Sequence, residues 1–193
     1  MSLLHTFLVC LFAFAVALAE PKEGTETNDD IHKFLNANDK IWVYNTSEEN
    51  EKDITCRYDV RVTITQKGIS FHRYNNTSTP ELLKGEFLNW NDPKSNTYDA
   101  MYVTDAANNS VTDEVIEYVS SDNSCAVVSV SLMRTAHTET LREIRVPENA
   151  LENEPEEGCK KKFEEILRLA NKTARSHYSP SCKNKSTSTL LTQ

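Results

Sequence analysis

From Ile54 to Ile64 the chain alternates without a break. Ile54, Cys56, Tyr58, Val60, Val62 and Ile64 fall on one face, and Thr55, Arg57, Asp59, Arg61 and Thr63 on the other. Period two over that length predicts a half-buried strand. Lys67-Gly68 supplies a tight turn, and Ile69 to Tyr74 returns as the hairpin partner. A first strand is expected at Ile41-Trp42-Val43-Tyr44. Further strands are expected near Leu82 to Leu88, Tyr98 to Thr104, Val115 to Ser120, Cys125 to Leu132 and Thr138 to Val146. Connectors rich in Asn, Asp and Ser separate them, and no helical period intervenes. Eight sequential strands joined by short turns predict an up-and-down antiparallel barrel, with a sandwich as the alternative.

Helical periodicity appears only at the two ends. Asp30 is placed to cap a short helix through Leu35, with Ile31, Phe34 and Leu35 on one side. From Cys159 to His177, Phe163, Ile166, Leu167, Ala170 and Ala174 share a face opposite Glu164, Glu165, Arg168, Lys172 and Arg175, with Leu169 the exception. Such a helix buries its apolar stripe against the barrel wall. Ser179-Pro180 is the expected stop, and a polar tail, taken as disordered, follows Cys182 through residues 183–193.

Met1 to Ala19 reads as a secretory signal peptide: a short apolar run ends in the small-x-small site Ala17-Leu18-Ala19. Residues 20–28 read as a flexible lead-in, and 29–182 as one domain. The removed segment takes Cys10 with it and leaves four cysteines. Six Asn-x-Ser/Thr sequons, at Asn45, Asn75, Asn76, Asn108, Asn171 and Asn184, agree with an extracellular glycoprotein. The formal charge of −8 argues against nucleic acid and anionic lipid surfaces as partners.

Catalytic readings find no footing. The four glycines are too scattered for a phosphate loop or a nucleophile elbow, and no H-E-x-x-H occurs. Nor is a metal or cofactor expected: there is no C-x-x-C, and His32, His72, His137 and His177 lack ligand spacing. An eight-stranded barrel instead has room for one small ligand. Strand aromatics such as Trp42, Tyr102 and Tyr118 serve either as packing or as cavity lining. Among the strand carboxylates, Glu86, Asp99, Glu117 and Glu139, any that points inward requires a cationic partner. A ligand ammonium beside a ring face is one such partner. Four cysteines in an oxidising compartment allow three pairings.

The residues also resemble a known family. Lys33-Phe34-Leu35 ahead of Ile41-Trp42-Val43-Tyr44, then Asp53-Ile54-Thr55-Cys56, then Glu114-Val115-Ile116-Glu117-Tyr118 with Asp122-Asn123-Ser124-Cys125, follow the order seen in tick salivary lipocalins of the histamine-binding group. Cys159 ahead of Phe163, and Ser179-Pro180-Ser181-Cys182, complete the frame. The resemblance runs from about Asp29 to Cys182. It implies an eight-stranded antiparallel lipocalin-type barrel with a short N-terminal helix and a C-terminal amphipathic helix packed on the wall. It implies bridges pairing Cys56 with Cys182 and Cys125 with Cys159, secretion in saliva, and sequestration of a small host inflammatory mediator in evasion of host defence.

Members bind histamine or serotonin, and others resembling them bind leukotrienes, thromboxane or complement protein. Amine binders in the group carry Cys-Asp-aliphatic, then Glu-Leu-aromatic, then Cys. Here Cys125-Ala126-Val127 lacks the acid, and Glu139-Thr140-Leu141 only partly matches the second element. The expectation is a monomeric, non-enzymatic lipocalin taking a biogenic amine, with Trp42, Tyr102 and Tyr118 lining the site and Glu139 as the counter-charge. An eicosanoid or a host protein is the alternative partner.

Overall fold

The computed structural model describes residues 29–47, 54–76, 79–134 and 139–183. The expected signal peptide, the lead-in 20–28 and the tail from Asn184 onward lie outside the described residues.

Eight antiparallel strands run in sequence: β1 (Lys40–Thr46), β2 (Tyr58–Ile64), β3 (Gly68–Tyr74), β4 (Glu81–Leu88), β5 (Ala100–Asp105), β6 (Ser110–Val119), β7 (Ala126–Leu132) and β8 (Glu139–Pro147). Each pairs with the next. β8 pairs with β1 and β1 with β2, so the sheet closes into a barrel. Closure removes exposed edges, which is how a meander of this kind avoids edge-to-edge association.

The seam between β1 and β2 is only half zipped. Lys40, Ile41 and Trp42 face Val60, Asp59 and Tyr58 in register. Beyond a register shift between Val43 and Asn45, β1 pairs instead with the two-residue strand β9 (Arg175–Ser176). The chain approaches β2 through Cys56, whose φ of 57° breaks the strand there, and the Cys56 amide donates to the His177 carbonyl. The alternation read from Ile54 therefore begins as strand only at Tyr58. The C-terminal segment fills the gap.

α1 (Ile31–Ala37) closes one end of the barrel. Asp30 caps it by accepting from the Lys33 amide, and Ile31, Phe34 and Leu35 enter the interior cluster with Phe87, Met101 and Val119. At its other end the Arg61 guanidinium donates to the carbonyls of Leu35 and Asn36 at 3.3 and 2.7 Å, satisfying acceptors that a helix end leaves open.

α2 (Glu157–Ala170) packs outside, over β6, β7 and β8. Phe163, Ile166 and Leu167 are buried there with Val127, Ile144 and Val146, each such side chain contributing about 1.5–3 kcal/mol. Leu169 is exposed, as its position on the wheel requires. The helix stops at Ala170, well short of the expected His177. Asn171 adopts the left-handed cap conformation (φ 51°, ψ 44°), its N–H donating to the Arg168 and Leu167 carbonyls, and the chain then runs back so that Arg175 and Ser176 pair along β1.

Both implied bridges are present. Cys56–Cys182 ties the approach to β2 to the C-terminal segment, and Cys125–Cys159 ties β7 to the first turn of α2, with Cα separations of 5.3 and 6.5 Å. Of the sequon asparagines, Asn76, Asn108 and Asn171 are exposed and Asn75 is half-buried. Asn45 lies within β1 between β8 and β9, and Asn184 is outside the described residues. Among the described residues no helix is long and apolar enough to cross a membrane.

Candidate functional site: a chain of ion pairs inside the barrel

Pairing register fixes which side chains point inward. On β8, Leu141 belongs to the interior cluster and Ile144 and Val146 to the outer layer under α2, so Glu143 and Arg145 face inward with Leu141. On β6, Glu114 stands opposite the interior residues Val130 and Met101. On β2 and β3 the apolar and aromatic set, Tyr58, Val60 and Tyr74, faces out, and Asp59, Arg61, Phe71 and Arg73 face in. The long alternating segment thus turns its charged side to the barrel interior.

These inward charges form one alternating chain: Arg57, Glu143, Arg145, Glu114, Arg73, Asp59. Arg57 donates to Glu143. Arg145 donates through Nε to Glu143 at 3.0 Å and through Nη1 to Glu114 at 2.6 Å. Arg73 donates to Glu114 at 3.0 Å and grips Asp59 with two bonds of 2.9 and 2.8 Å. The Thr112 hydroxyl also donates to Glu114. Glu114 and Glu143 are fully buried, and Arg145 is 4% exposed. Burial alone would push the Glu114 carboxyl up, but the guanidiniums of Arg145 and Arg73 overcome that and hold it well below the usual carboxylate range. The Arg73 guanidinium, flanked by Asp59 and Glu114, is held above its ordinary value against the opposing effect of burial.

Around the chain the interior is apolar, with Ile69, Phe71, Leu83, Met101, Val103 and Leu141. A cavity of about 20 Å³ lies against Asp59, Arg61 and Arg145, reaching Asn38 and Asp39 at the end of α1. That volume holds a single water. Gly85 faces this core beside Ile69 and Met101, where the absence of a Cβ leaves room for the Met101 side chain.

The four residues expected to line the site are not brought together. Trp42 is fully buried, but in the outer layer, against Tyr58 and Tyr178, with its indole N–H donating to Glu148. Tyr102 alternates with the interior residues Met101 and Val103, and its hydroxyl meets Ser110 on the outer face. Tyr118 also faces out, donating to Glu156, the N-cap of α2, at 3.2 Å. Burial, then Glu156, raises its pKa. Glu139, at the start of β8, pairs with Lys172 at 3.5 Å. Of the other strand acids considered, Glu86 is exposed, Glu117 accepts from Ser129, and Asp99 organises the β4–β5 loop by accepting from the Trp90 amide and Asn91.

The inward acids Asp59, Glu114 and Glu143 were missed. A usable signal existed: Arg57-x-Asp59-x-Arg61 and Glu143-x-Arg145 put opposite charges two apart, on one face of a strand whose other face is apolar. Glu143 also occupies an inward position, whereas Glu139 at the start of β8 pairs with Lys172.

A family profile described as tick histamine binding protein matches residues 19–184. The chain belongs to this family. No curated protein matches. Among solved structures the barrel is similar to the siderocalin Ex-FABP, at a TM-score of 0.55 and 8% identity, covering 74% of this chain and 93% of that one. That siderocalin functions through dual ligand specificities. At that identity the likeness shows the lipocalin fold alone. Ala126 is fully buried, belongs to the interior cluster and stands opposite Arg145 across the β7–β8 ladder. The acid of the amine-binding motif is missing at an inward-facing position.

Proposed function

We propose that the chain is a secreted, non-enzymatic scavenger that sequesters a small host mediator in its barrel, and that the mediator is an amphipathic carboxylate of the eicosanoid kind. The observation that carries the reading is the charge balance inside, among the described residues: three carboxylates, Asp59, Glu114 and Glu143, pair with three guanidiniums, Arg57, Arg73 and Arg145, and the fourth inward guanidinium, Arg61, pairs with Asp39 at the end of α1. An aspartate at Ala126 would leave one acid in surplus for a ligand ammonium; alanine leaves none.

Entry of a charged ligand must therefore break an existing pair, and the two signs differ in consequence. A ligand carboxylate that takes a guanidinium orphans a glutamate, which neutralises by accepting a proton. A ligand ammonium that takes a glutamate orphans an arginine, which cannot shed its charge. The residues around the ion chain are apolar, as a hydrocarbon body requires, but the space between them holds a single water, so binding requires these side chains to move apart. Two bridges and family membership support secretion, with saliva as the expected fluid. The amine reading keeps one observation in its favour, that Glu114 and Glu143 both point inward.

Isothermal titration with a leukotriene and with histamine separates the two, run in two buffers of different ionisation enthalpy. The leukotriene is expected to bind with uptake of about one proton and histamine not to bind tightly. Tight histamine binding without leukotriene binding overturns the ranking.

A further inference from the structure

A second feature of the molecule has the shape of a ligand site, and it lies outside the barrel. Between residues 37–40, at the end of α1, and residues 147–149, where β8 exits, there is an open groove of about 360 Å³. Lys40 is part of its lining. The Lys40 ammonium sits 4.6 Å from the ring centroid of Trp42, 4.5 Å from that of Tyr58 and 3.1 Å from Glu148 Oε2. The two rings are 4.4 Å apart and tilted by 35°. Glu148 is itself fixed, because it accepts from the Trp42 indole N–H. Tyr58 is pushed up to about 12, by burial first and then by Tyr74 and Glu148, so its ring stays a neutral phenol.

Two aromatic faces and an anchored carboxylate make a receptor for an ammonium group, and the chain's own lysine fills it. Trp42 and Tyr58 are almost wholly buried, and neither lines the groove. The Lys40 side chain stands between the rings and the groove. We infer that this groove is a second binding site, for a small organic ammonium whose head replaces that of Lys40 between Trp42, Tyr58 and Glu148. The exchange is favoured by chemistry: the displaced primary ammonium is strongly hydrated and swings out on a flexible stem, while an alkylated ammonium loses less hydration on entering the rings. The three groups that would hold the head, Trp42, Tyr58 and Glu148, are not part of the interior ion chain, although Asn38 and Asp39 line both the groove and the interior cavity.

Trp42 and Trp90 are the two tryptophans of the chain, so in a Trp90→Phe background fluorescence reports Trp42. Choline is titrated against Lys40→Ala and against the protein retaining Lys40, with 3,3-dimethylbutan-1-ol as the neutral isostere. Lys40→Ala is expected to bind choline at least tenfold more tightly than the protein retaining Lys40, and at least tenfold more tightly than the isostere. Equal responses to choline and isostere, or no response to choline from either protein, overturn the inference. Should Lys40→Ala fold poorly, the unmodified protein decides. The Lys40 methylene protons, shifted upfield by the two rings, are expected to move to ordinary positions as choline saturates, and protons that stay in place sink the proposal.

Discussion

Removing Arg145 tests the ion chain at its centre. Its guanidinium makes charge-assisted bonds to two fully buried carboxylates, at 2.6 Å to Glu114 and 3.0 Å to Glu143. At about 1.5–3 kcal/mol for each such bond, and about 3–5 kcal/mol for breaking a buried pair by removing one partner, Arg145→Met is expected to lose about 3–5 kcal/mol at pH 7.5. The variant has three acids facing two arginines, so one carboxylate takes up a proton as the pH falls. The loss should shrink by up to about 1.4 kcal/mol per pH unit once that group titrates. Glu114→Gln removes the opposite sign. It leaves guanidiniums that cannot deprotonate, so its loss, of similar size, should stay flat from pH 8 to 5.5. In the unmodified protein Glu114 is held below its unfolded value, so its contribution is complete above about pH 4.5 and declines only at lower pH. The reference is therefore flat in this group across the window. Urea unfolding of the three proteins with bridges intact, at pH 8, 6.5 and 5.5, gives the differences directly. Matching pH profiles for the two variants, or an Arg145→Met loss under about 1 kcal/mol, would refute the reasoning and remove the main support for a carboxylate ligand.

His177 gives a second pH effect. It is 2% exposed, neither ring nitrogen has a partner among the described residues, and burial followed by Arg57 and Arg175 lowers its pKa to about 3. Stability tied to it is complete above pH 6.5 and falls with acidification toward pH 3, by about 2 kcal/mol at pH 5. A thermal-melt series against pH should show that slope, and His177→Leu should abolish it. At Gly85 an added Cβ would overlap Met101 Sδ and lie 2.7 Å from Met101 Cγ and 2.9 Å from Ile69 Cγ2. Gly85→Ala is expected to cost about 1–3 kcal/mol, and a cycle with Met101→Ala should recover at least about 0.5 kcal/mol through coupling; strict additivity of the two changes contradicts the packing described.

The architecture could be read from the chain because it rests on local signals. Asp30 caps α1 as its position predicts, and alternation and turn residues, being local properties, located all eight strands, although β6 begins at Ser110 rather than Val115 and β2 at Tyr58 rather than Ile54. What alternation cannot carry is the identity of the inward face. On a strand with water on one side, the apolar set marks the core. On β2 both faces are covered: Tyr58 and Val60 pack under the C-terminal segment, and Asp59 and Arg61 meet partners from β3 and α1. The same reversal explains the site. Trp42, Tyr102 and Tyr118 looked like lining because rings on barrel strands usually are, yet here they bond to Glu148, Ser110 and Glu156 on the outside. Each acid that does face inward has an arginine partner distant in the sequence, as Arg73 and Arg145 serve Glu114 and Arg57 serves Glu143. A buried charge is affordable only when such a partner exists, and partners that come from distant positions in the sequence are invisible until the strands are in register. The balance of those pairs, each inward guanidinium matched by a carboxylate and alanine at position 126, is a property of the closed barrel. It turns a motif departure into a statement about which sign of ligand charge the interior can accept.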